Sequence, residues 1–193
     1  MNVVIIKYNA GNIRSVLYAL ERLGIQATVS DDPVLIRAAD RVIFPGVGEA
    51  TSAMNYLRER GLDKVITSLT QPVLGICLGL QLMCAHSEEG NIDCLGIFPQ
   101  QVKLFPPQEK VPQIGWNDIF NLKTPLFKEI KENSYVYFVH SYYAEMGENT
   151  IATANYINDY SAALWKDNFY AMQYHPEKSG DIGARMLKNF IDL

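Results

Sequence analysis

Residues 72–84 read PVLGICLGLQLMC and join two kinds of apolar pattern. The run Val73–Ile76 is typical of a buried strand, and a helix-like apolar run follows from Leu80. Cys77 stands between them, with Gly75 and Gly79 two residues away on either side. This G-x-nucleophile-x-G pattern predicts a nucleophile elbow, a strained turn that exposes its side chain at the carboxyl edge of a parallel sheet.

The N-terminal half repeats this alternation of short apolar strands and amphipathic helices. Predicted strands lie at 2–6, 26–29, 41–44 and 73–76, with helices at 13–23, 50–60 and 62–69. Later β-rich segments lie at 100–105, 113–119, 135–139, 150–156, 161–165 and 169–173, before a final helix at 180–192. We therefore predict a three-layer α/β fold with a mostly parallel central sheet, helices on both faces and an antiparallel β extension of that sheet. We expect one domain over residues 1–193.

Composition excludes several function classes. The chain has a net charge of −4 and no basic run, so we expect neither nucleic-acid nor membrane-surface binding. No apolar stretch approaches the ~18 residues of a membrane helix, and the N-terminus lacks signal-peptide features, so we expect a cytoplasmic protein. The three cysteines and three histidines lack metal-ligand spacing, so we expect no disulfide, metal or cofactor.

A cysteine at an elbow suits nucleophilic catalysis, because the dipole of the following helix favours a thiolate. A base must lie nearby. His175, in the sequence YHPE, is the first candidate, and Glu177 can orient it if both side chains point the same way along an extended stretch. His140, at the end of another predicted strand, is the competing base. Cys84 and Cys94 are predicted to be structural thiols.

An attacking thiolate also needs donors for the oxyanion that it creates. The N–H of Leu78 directly follows the nucleophile and supplies one donor. The turn PGVG at 45–48 closes the neighbouring predicted strand and is the candidate for the second. Its glycines allow a peptide to turn an N–H inward.

Together, PGVG at 45–48, GICLGLQL at 75–82 and HPE at 175–177 resemble the class I glutamine amidotransferases, a family of Cys-His-Glu glutaminases. The resemblance covers essentially the whole chain and implies a flavodoxin-like topology. It implies that Cys77 attacks the carboxamide of L-glutamine, that His175 transfers protons and that Glu177 orients His175. The residues that it implies for the oxyanion hole and for substrate binding are Gly46, Val47, Gly48, Leu78, Gln81, Ser141 and Tyr142.

Within this family, five stretches resemble the subfamily that supplies ammonia to a (β/α)8-barrel cyclase in histidine biosynthesis. They are 8–16, 87–90, 110–117, 137–143 and 175–179. The resemblance implies a heterodimer with that cyclase, with Asn12, Trp116 and Tyr137 at or near the interface. A partner is also expected on physical grounds, since we find no phosphate loop for a large acceptor, and free ammonia would be protonated in water.

One departure from the family leaves alternatives open. Gln113 stands where the family usually has histidine, in the sequence KVPQIGWN. If this position lies at the docking face, the interface or its coupling is altered, which leaves open a paralogue that feeds another acceptor, such as a sugar amidotransferase. Cysteine elbows also occur in DJ-1/PfpI-like chaperones and proteases, although the PGVG and HPE motifs argue against that class.

Overall fold

The computed structural model describes residues 1–9 and 11–193; Ala10, part of the stretch 8–16, lies outside the described residues. The strands are β1 (Val3–Ile6), β2 (Ala27–Ser30), β3 (Arg41–Gly46), β4 (Val73–Cys77), β5 (His86–Ser87), β6 (Ile92–Asp93), β7 (Gln101–Leu104), β8 (Gln113–Ile119), β9 (Ser134–His140), β10 (Tyr142–Ala144), β11 (Thr150–Tyr156), β12 (Asn158–Lys166) and β13 (Phe169–Met172). The helices are α1 (Ile13–Arg22), α2 (Pro33–Arg37), α3 (Ala50–Glu59), α4 (Leu62–Thr67), α5 (Leu78–Met83) and α6 (Gly180–Ile191). Two 3-10 helices span Pro125–Phe127 and Pro176–Lys178.

Seven strands form a central sheet in the order β11-β12-β13-β4-β3-β1-β2. The strands β2, β1, β3, β4 and β13 run parallel to their neighbours within this group. β12 is antiparallel to both β13 and β11. The prediction of a mostly parallel sheet with an antiparallel extension is therefore confirmed.

The parallel strands are apolar throughout because helices cover both faces of the sheet. Val4 and Ile6 of β1 belong to one buried cluster, with side chains of α3, α4 and α5. Val3 and Ile5 belong to a second cluster, with side chains of α1 and α6. Successive residues of a strand point to opposite faces, so β1 contributes to both layers. Within the described ranges, no helix has the length and apolar character needed to span a bilayer.

Only the last three of the six predicted β-rich segments extend the central sheet. Segment 100–105 forms β7 of a separate four-stranded sheet, in the order β10-β7-β5-β6, and segments 113–119 and 135–139 pair with each other as β8 and β9. The expectation that all six join one sheet was wrong. Strand propensity reports a half-buried pleated surface and does not specify the pairing partner.

The carboxyl ends of β1, β3, β4 and β13 meet at one edge of the sheet. Tyr8 follows β1, the PGVG turn ends β3, Cys77 ends β4, and His175 follows β13. Open α/β sheets bind ligands at this edge, and the topology gathers there the three motifs singled out in the sequence.

Candidate active site

The backbone at Cys77 is strained. Cys77 is the last residue of β4 and has φ 53° and ψ −107°, a left-handed φ that is unusual for a non-glycine residue. Helix α5 begins at the next residue and packs closely against the sheet. A Cβ at Gly79 would overlap the carbonyl oxygen of Phe44, so only glycine permits this approach. The turn holds the sulfur at the sheet edge.

Two polar atoms lie near the sulfur of Cys77. The Nε2 of Gln173 is 3.7 Å from Sγ, and the main-chain oxygen of Val139 is 3.9 Å away. Cys77 is 6% exposed, and this residual access is to a cavity that it helps to line. The sulfur is therefore enclosed but reachable.

His175 and Glu177 form a buried pair. The Nδ1 of His175 lies 2.7 Å from Oε1 of Glu177, and both side chains are 0% exposed. His175 has an extended backbone and Glu177 lies in the following 3-10 helix, so a turn, and not the predicted continuous extended stretch, brings the two side chains together. A carboxylate can only accept, so Nδ1 carries the proton that bonds Glu177, and Nε2 is the free nitrogen.

Asn12 adds a third member to this pair, which the sequence reading did not foresee. Its Nδ2 donates to Oε1 of Glu177 and lies 3.3 Å from Nδ1 of His175. Asn12 begins helix α1 with a left-handed backbone, φ 73°, which turns its amide inward. This half-buried residue holds the carboxylate in place.

The charge of the site favours a protonated imidazole. Burial opposes the protonated form of His175 and is the largest single influence, but hydrogen bonding and charge from Cys77 and Glu177 outweigh it and raise its pKa to about 10. The thiol of Cys77 can raise the pKa of His175 only if it lies close to the imidazole ring. Among the described residues, however, Nε2 has no hydrogen-bond partner of normal geometry.

The PGVG turn is held by residues that follow β1. The hydroxyl of Tyr8 donates to the carbonyl of Pro45 at 2.7 Å, and the N–H of Gly11 donates to the carbonyl of Val47 at 3.1 Å. A Cβ at Gly46 would overlap the Tyr8 hydroxyl and lie 3.0 Å from Cβ of Leu78. Gly46 is therefore confined between Tyr8 and the elbow.

A cavity of about 290 Å³ opens beside the sulfur. It is lined by Cys77 and by six of the seven residues expected to bind substrate or the oxyanion, namely Val47, Gly48, Leu78, Gln81, Ser141 and Tyr142. Gly46 lies behind the wall. Glu89, from the stretch 87–90 singled out in the sequence, also lines the cavity, although no binding role was predicted for it. Burial, aided by the nearby Glu49, raises the pKa of Glu89 against the lowering effect of its bond from the N–H of Ala50.

Gln81 has only its oxygen left to offer a ligand. Its Nε2 donates to the carbonyl of Tyr142 at 2.9 Å and to Oε1 of Gln173 at 3.1 Å. These two bonds use both amide hydrogens. The free Oε1 of Gln81 can accept a hydrogen bond from a ligand in the cavity.

His140 is not placed to act as the base. Its Nδ1 bonds the carbonyl of Tyr142 at 2.8 Å, and its Nε2 lies 3.3 Å from the hydroxyl of Tyr160. Burial, reinforced by the charge of His175 and opposed by the bond to Tyr142, lowers its pKa to about 4. Both nitrogens are engaged in the wall of the cavity.

Gln113 lies behind this wall and not on the docking face considered above. It is 4% exposed, and its Oε1 is 2.9 Å from the hydroxyl of Tyr160. The other two cysteines are away from the cavity lining. Cys84 is fully buried, and burial raises the pKa of the half-buried Cys94 to about 12.

An apolar surface lies on the β8–β9 pair. Ile114, Trp116 and Tyr135 are 58%, 55% and 59% exposed, and Tyr137 packs its ring against Trp116 with 6.0 Å between centroids. We call these four residues the aromatic face. The Nζ of Lys178, next to Glu177 in sequence, lies 5.8 Å from the ring centroid of Tyr137, so the face adjoins the His175–Glu177 turn.

In the part of the chain that the structure describes, no three histidine, cysteine, aspartate or glutamate side chains are grouped to hold a metal ion.

Comparisons with known proteins point to one family. Residues 4–193 match the class-I glutamine amidotransferases. The chain is 60% identical over 196 residues to imidazole glycerol phosphate synthase subunit HisH of Bacteroides fragilis, with 100% of both chains covered. It is 47% identical over 196 residues to the HisH subunit of Pectobacterium atrosepticum, again with 100% of both covered. A solved glutamine amidotransferase has a similar fold, with a TM-score of 0.76 at 19% identity, covering 98% of this chain and 97% of that chain.

Proposed function

Because the chain belongs to the class I glutamine amidotransferases, we propose that it is the glutaminase subunit of an imidazole glycerol phosphate synthase. It hydrolyses L-glutamine to glutamate and ammonia. The main observation behind this proposal is that the strained Cys77 lines a cavity and lies beside the buried His175–Glu177 pair. The full-length similarity to HisH subunits supports the choice of acceptor pathway.

The cavity suits a small zwitterion. Its volume of about 290 Å³ lies near the lower end of ligand sites. Glu89 supplies a carboxylate for the α-ammonium group of glutamine, and Oε1 of Gln81 supplies a further acceptor. The side-chain carboxamide then extends toward Cys77. The acidic lining favours glutamine over ligands that lack the ammonium group.

The reaction proceeds through a thioester. The sulfur of Cys77 bonds to the carboxamide carbon, and the carbonyl electrons move to oxygen, where the N–H of Leu78 donates. The C–N bond then breaks, and His175 gives its proton to the departing ammonia. A water molecule attacks the thioester while His175 takes its proton, and breakage of the C–S bond releases glutamate.

The PGVG turn supplies the second oxyanion donor in this proposal. The carbonyl of Val47 is held by Gly11, and a trans peptide points its N–H opposite to its carbonyl. The orientation of this turn is thus tied to the segment after β1. We expect slow hydrolysis by the isolated chain and faster hydrolysis once a partner reorients that segment.

The partner is a HisF-type (β/α)8-barrel cyclase subunit, and the two subunits form a heterodimer. The aromatic face, with Asn12 close to Glu177, is the proposed docking region. Ammonia passes directly to the cyclase and reacts with a ribulosyl imidazolecarboxamide intermediate. The products are imidazole glycerol phosphate and an aminoimidazole carboxamide nucleotide.

Both alternatives to this function lose support. The paralogue reading depended on Gln113 at a docking face, and this residue is buried. The DJ-1/PfpI-like reading does not account for the match of residues 4–193 to the amidotransferases.

Reconstitution tests the proposal. The chain mixed with a HisF cyclase should form imidazole glycerol phosphate from glutamine, and Cys77→Ala should lose this activity while remaining folded. With ammonia supplied directly, the cyclase should work equally well with wild type, Cys77→Ala or no added subunit. Glutamine-dependent product formation by folded Cys77→Ala would remove Cys77 as nucleophile. Absence of stimulation by the cyclase in wild type would remove the acceptor assignment.

A further inference from the structure

We infer that Gln173 is a catalytic residue that donates a hydrogen bond to the nucleophilic sulfur and favours its thiolate form. The inference rests on the proposed function and adds a residue to its site. Gln173 follows β13, two residues before His175, and is 0% exposed. Its Nε2 lies 3.7 Å from Sγ of Cys77, a normal distance for an N–H donor and a sulfur acceptor.

The orientation of the Gln173 amide follows from its neighbours. The carbonyl of Tyr142 can only accept, so the amide end of Gln81 that faces it must be nitrogen. The same nitrogen lies 3.1 Å from the Gln173 side chain, which must therefore present its oxygen to Gln81. The remaining end of the Gln173 amide, its NH2 group, faces Cys77. Amide orientation is often ambiguous, but this chain of bonds fixes it.

The donor has a specific use at this position. A thiolate can only accept, and an N–H bonded to a charged acceptor is stronger than one bonded to a neutral acceptor. The other polar neighbour, the carbonyl of Val139 at 3.9 Å, can bond only the protonated thiol. Nε2 of His175 has no hydrogen-bond partner of normal geometry within the described part of the chain. The amide of Gln173 thus stabilises the sulfur when its proton has left.

The same side chain connects the nucleophile to the substrate site. Gln173 accepts from Gln81, and Gln81 holds the carbonyl of Tyr142 in the cavity wall. Loss of the Gln173 amide therefore removes the donor to sulfur and frees one hydrogen of Gln81. We expect a lower kcat together with a higher KM for glutamine.

The test follows the reactivity of the sulfur and does not require turnover. Iodoacetamide alkylates thiolates, so the rate of Cys77 alkylation against pH reports how readily the thiolate forms. Gln173→Met keeps the length of the side chain and removes the donor. We expect the pH of half-maximal alkylation to rise by about one unit, which slows alkylation about tenfold at pH values below both midpoints. Gln173→Glu replaces the NH2 group with oxygen and should raise the pH of half-maximal alkylation at least as far. Mass spectrometry assigns the label to Cys77 and separates it from any label on the buried Cys84 or the half-buried Cys94.

Gln100→Met is the matched control. Gln100 is also buried, at 3% exposure, but does not line the cavity, so its substitution should leave the alkylation curve unchanged. Circular dichroism and thermal unfolding establish that each variant is folded. An unchanged curve in a folded Gln173 variant would overturn the inference.

A measurement on the unmodified chain covers the case in which neither Gln173 variant folds. The side-chain NH2 resonances of Gln173 should move with the same pH midpoint as alkylation of Cys77. Resonances that stay fixed through that midpoint would overturn the inference. Glutamine hydrolysis by the wild type is scored separately, so a chain that shows the predicted thiol behaviour without hydrolysis would count against the proposed function alone.

Discussion

His140 shows how the neighbours of a buried histidine decide whether it can do chemistry. It lines the cavity, as a base would, but its two nitrogens face Tyr142 and Tyr160. His175 is equally buried, yet the thiol and the carboxylate beside it raise its pKa to about 10. The lowered pKa of His140, about 4, keeps it neutral and structural.

The folded state should therefore lose stability in acid because of His140. Its pKa falls from 6.5 to about 4 on folding, so its contribution is complete above 6.5 and is lost as the pH falls toward 4. Between pH 7 and pH 5, this lowers the free energy of unfolding by about 2 kcal/mol. The free energy of unfolding is measured with urea at pH 7 and pH 5 for the wild type and for His140→Gln. Because the other groups titrate in both proteins, the difference between the two proteins gives the contribution of His140. Parallel losses of stability in the two proteins would contradict the prediction.

Local motifs were sufficient to predict Cys77, His175 and Glu177 as candidates, because each lies in a short pattern with its own geometry. They could not predict Asn12 beside Glu177, since the two residues are 165 positions apart. Gln173 carries no local signal, because an isolated glutamine is usually a surface residue, and the stretch 87–90 did not indicate that Glu89 lines the cavity. Only the fold reveals their contacts.

Among the elements, the turn that ends β3 is confined by its neighbours. The Tyr8 hydroxyl and Leu78 enclose Gly46 from two sides, and Leu78 carries the first proposed oxyanion donor. The spacing between this donor and the PGVG turn is therefore set by the close packing at Gly46.

A methyl group at Gly46 should disturb that spacing. Gly46→Ala is expected to lower kcat for glutamine hydrolysis by about 10²–10³, the usual effect of losing an oxyanion donor. Removing the hydroxyl in the double variant Tyr8→Phe/Gly46→Ala opens space and should restore part of the rate. Tyr8→Phe alone is the matched control and completes a double-mutant cycle. Strictly additive effects would show that the hydroxyl does not confine Gly46.

Uninterrupted apolar strands such as β1 and β4 were predictable because their composition is typical of buried parallel strands. The strands β5, β6 and β10 have only two or three residues each, too few to show a periodic pattern. The pairing of β8 with β9 was also missed, since both segments read as ordinary half-buried strands.

At the scale of the whole molecule, the aromatic face is an exposed, largely apolar surface that adjoins the His175–Glu177 turn. Lys178 extends from that turn over Tyr137. The family resemblance implied a place for Trp116 at or near the interface, and its 55% exposure excludes the core.

Trp116→Ala should weaken docking of the cyclase at least about tenfold, as expected for a tryptophan at the centre of an interface, and leave basal glutamine hydrolysis within about twofold. Trp165→Ala is the matched control, because Trp165 is also exposed, at 40%, but stacks on Tyr170 beside β13. Titration of each variant with the cyclase, followed by stimulated hydrolysis, measures the effect. Equal weakening by both substitutions would argue against the aromatic face.

The contact between Asn12 and Glu177 has a consequence for biosynthesis of the chain itself. Translation delivers Asn12 and Cys77 long before His175 and Glu177, and early segments begin to fold first. A nascent or truncated polypeptide that has already formed its elbow still lacks the proposed acid–base pair. Ammonia release therefore awaits synthesis of the segment that carries His175 and Glu177, and a fragment that ends before this segment is expected not to hydrolyse glutamine.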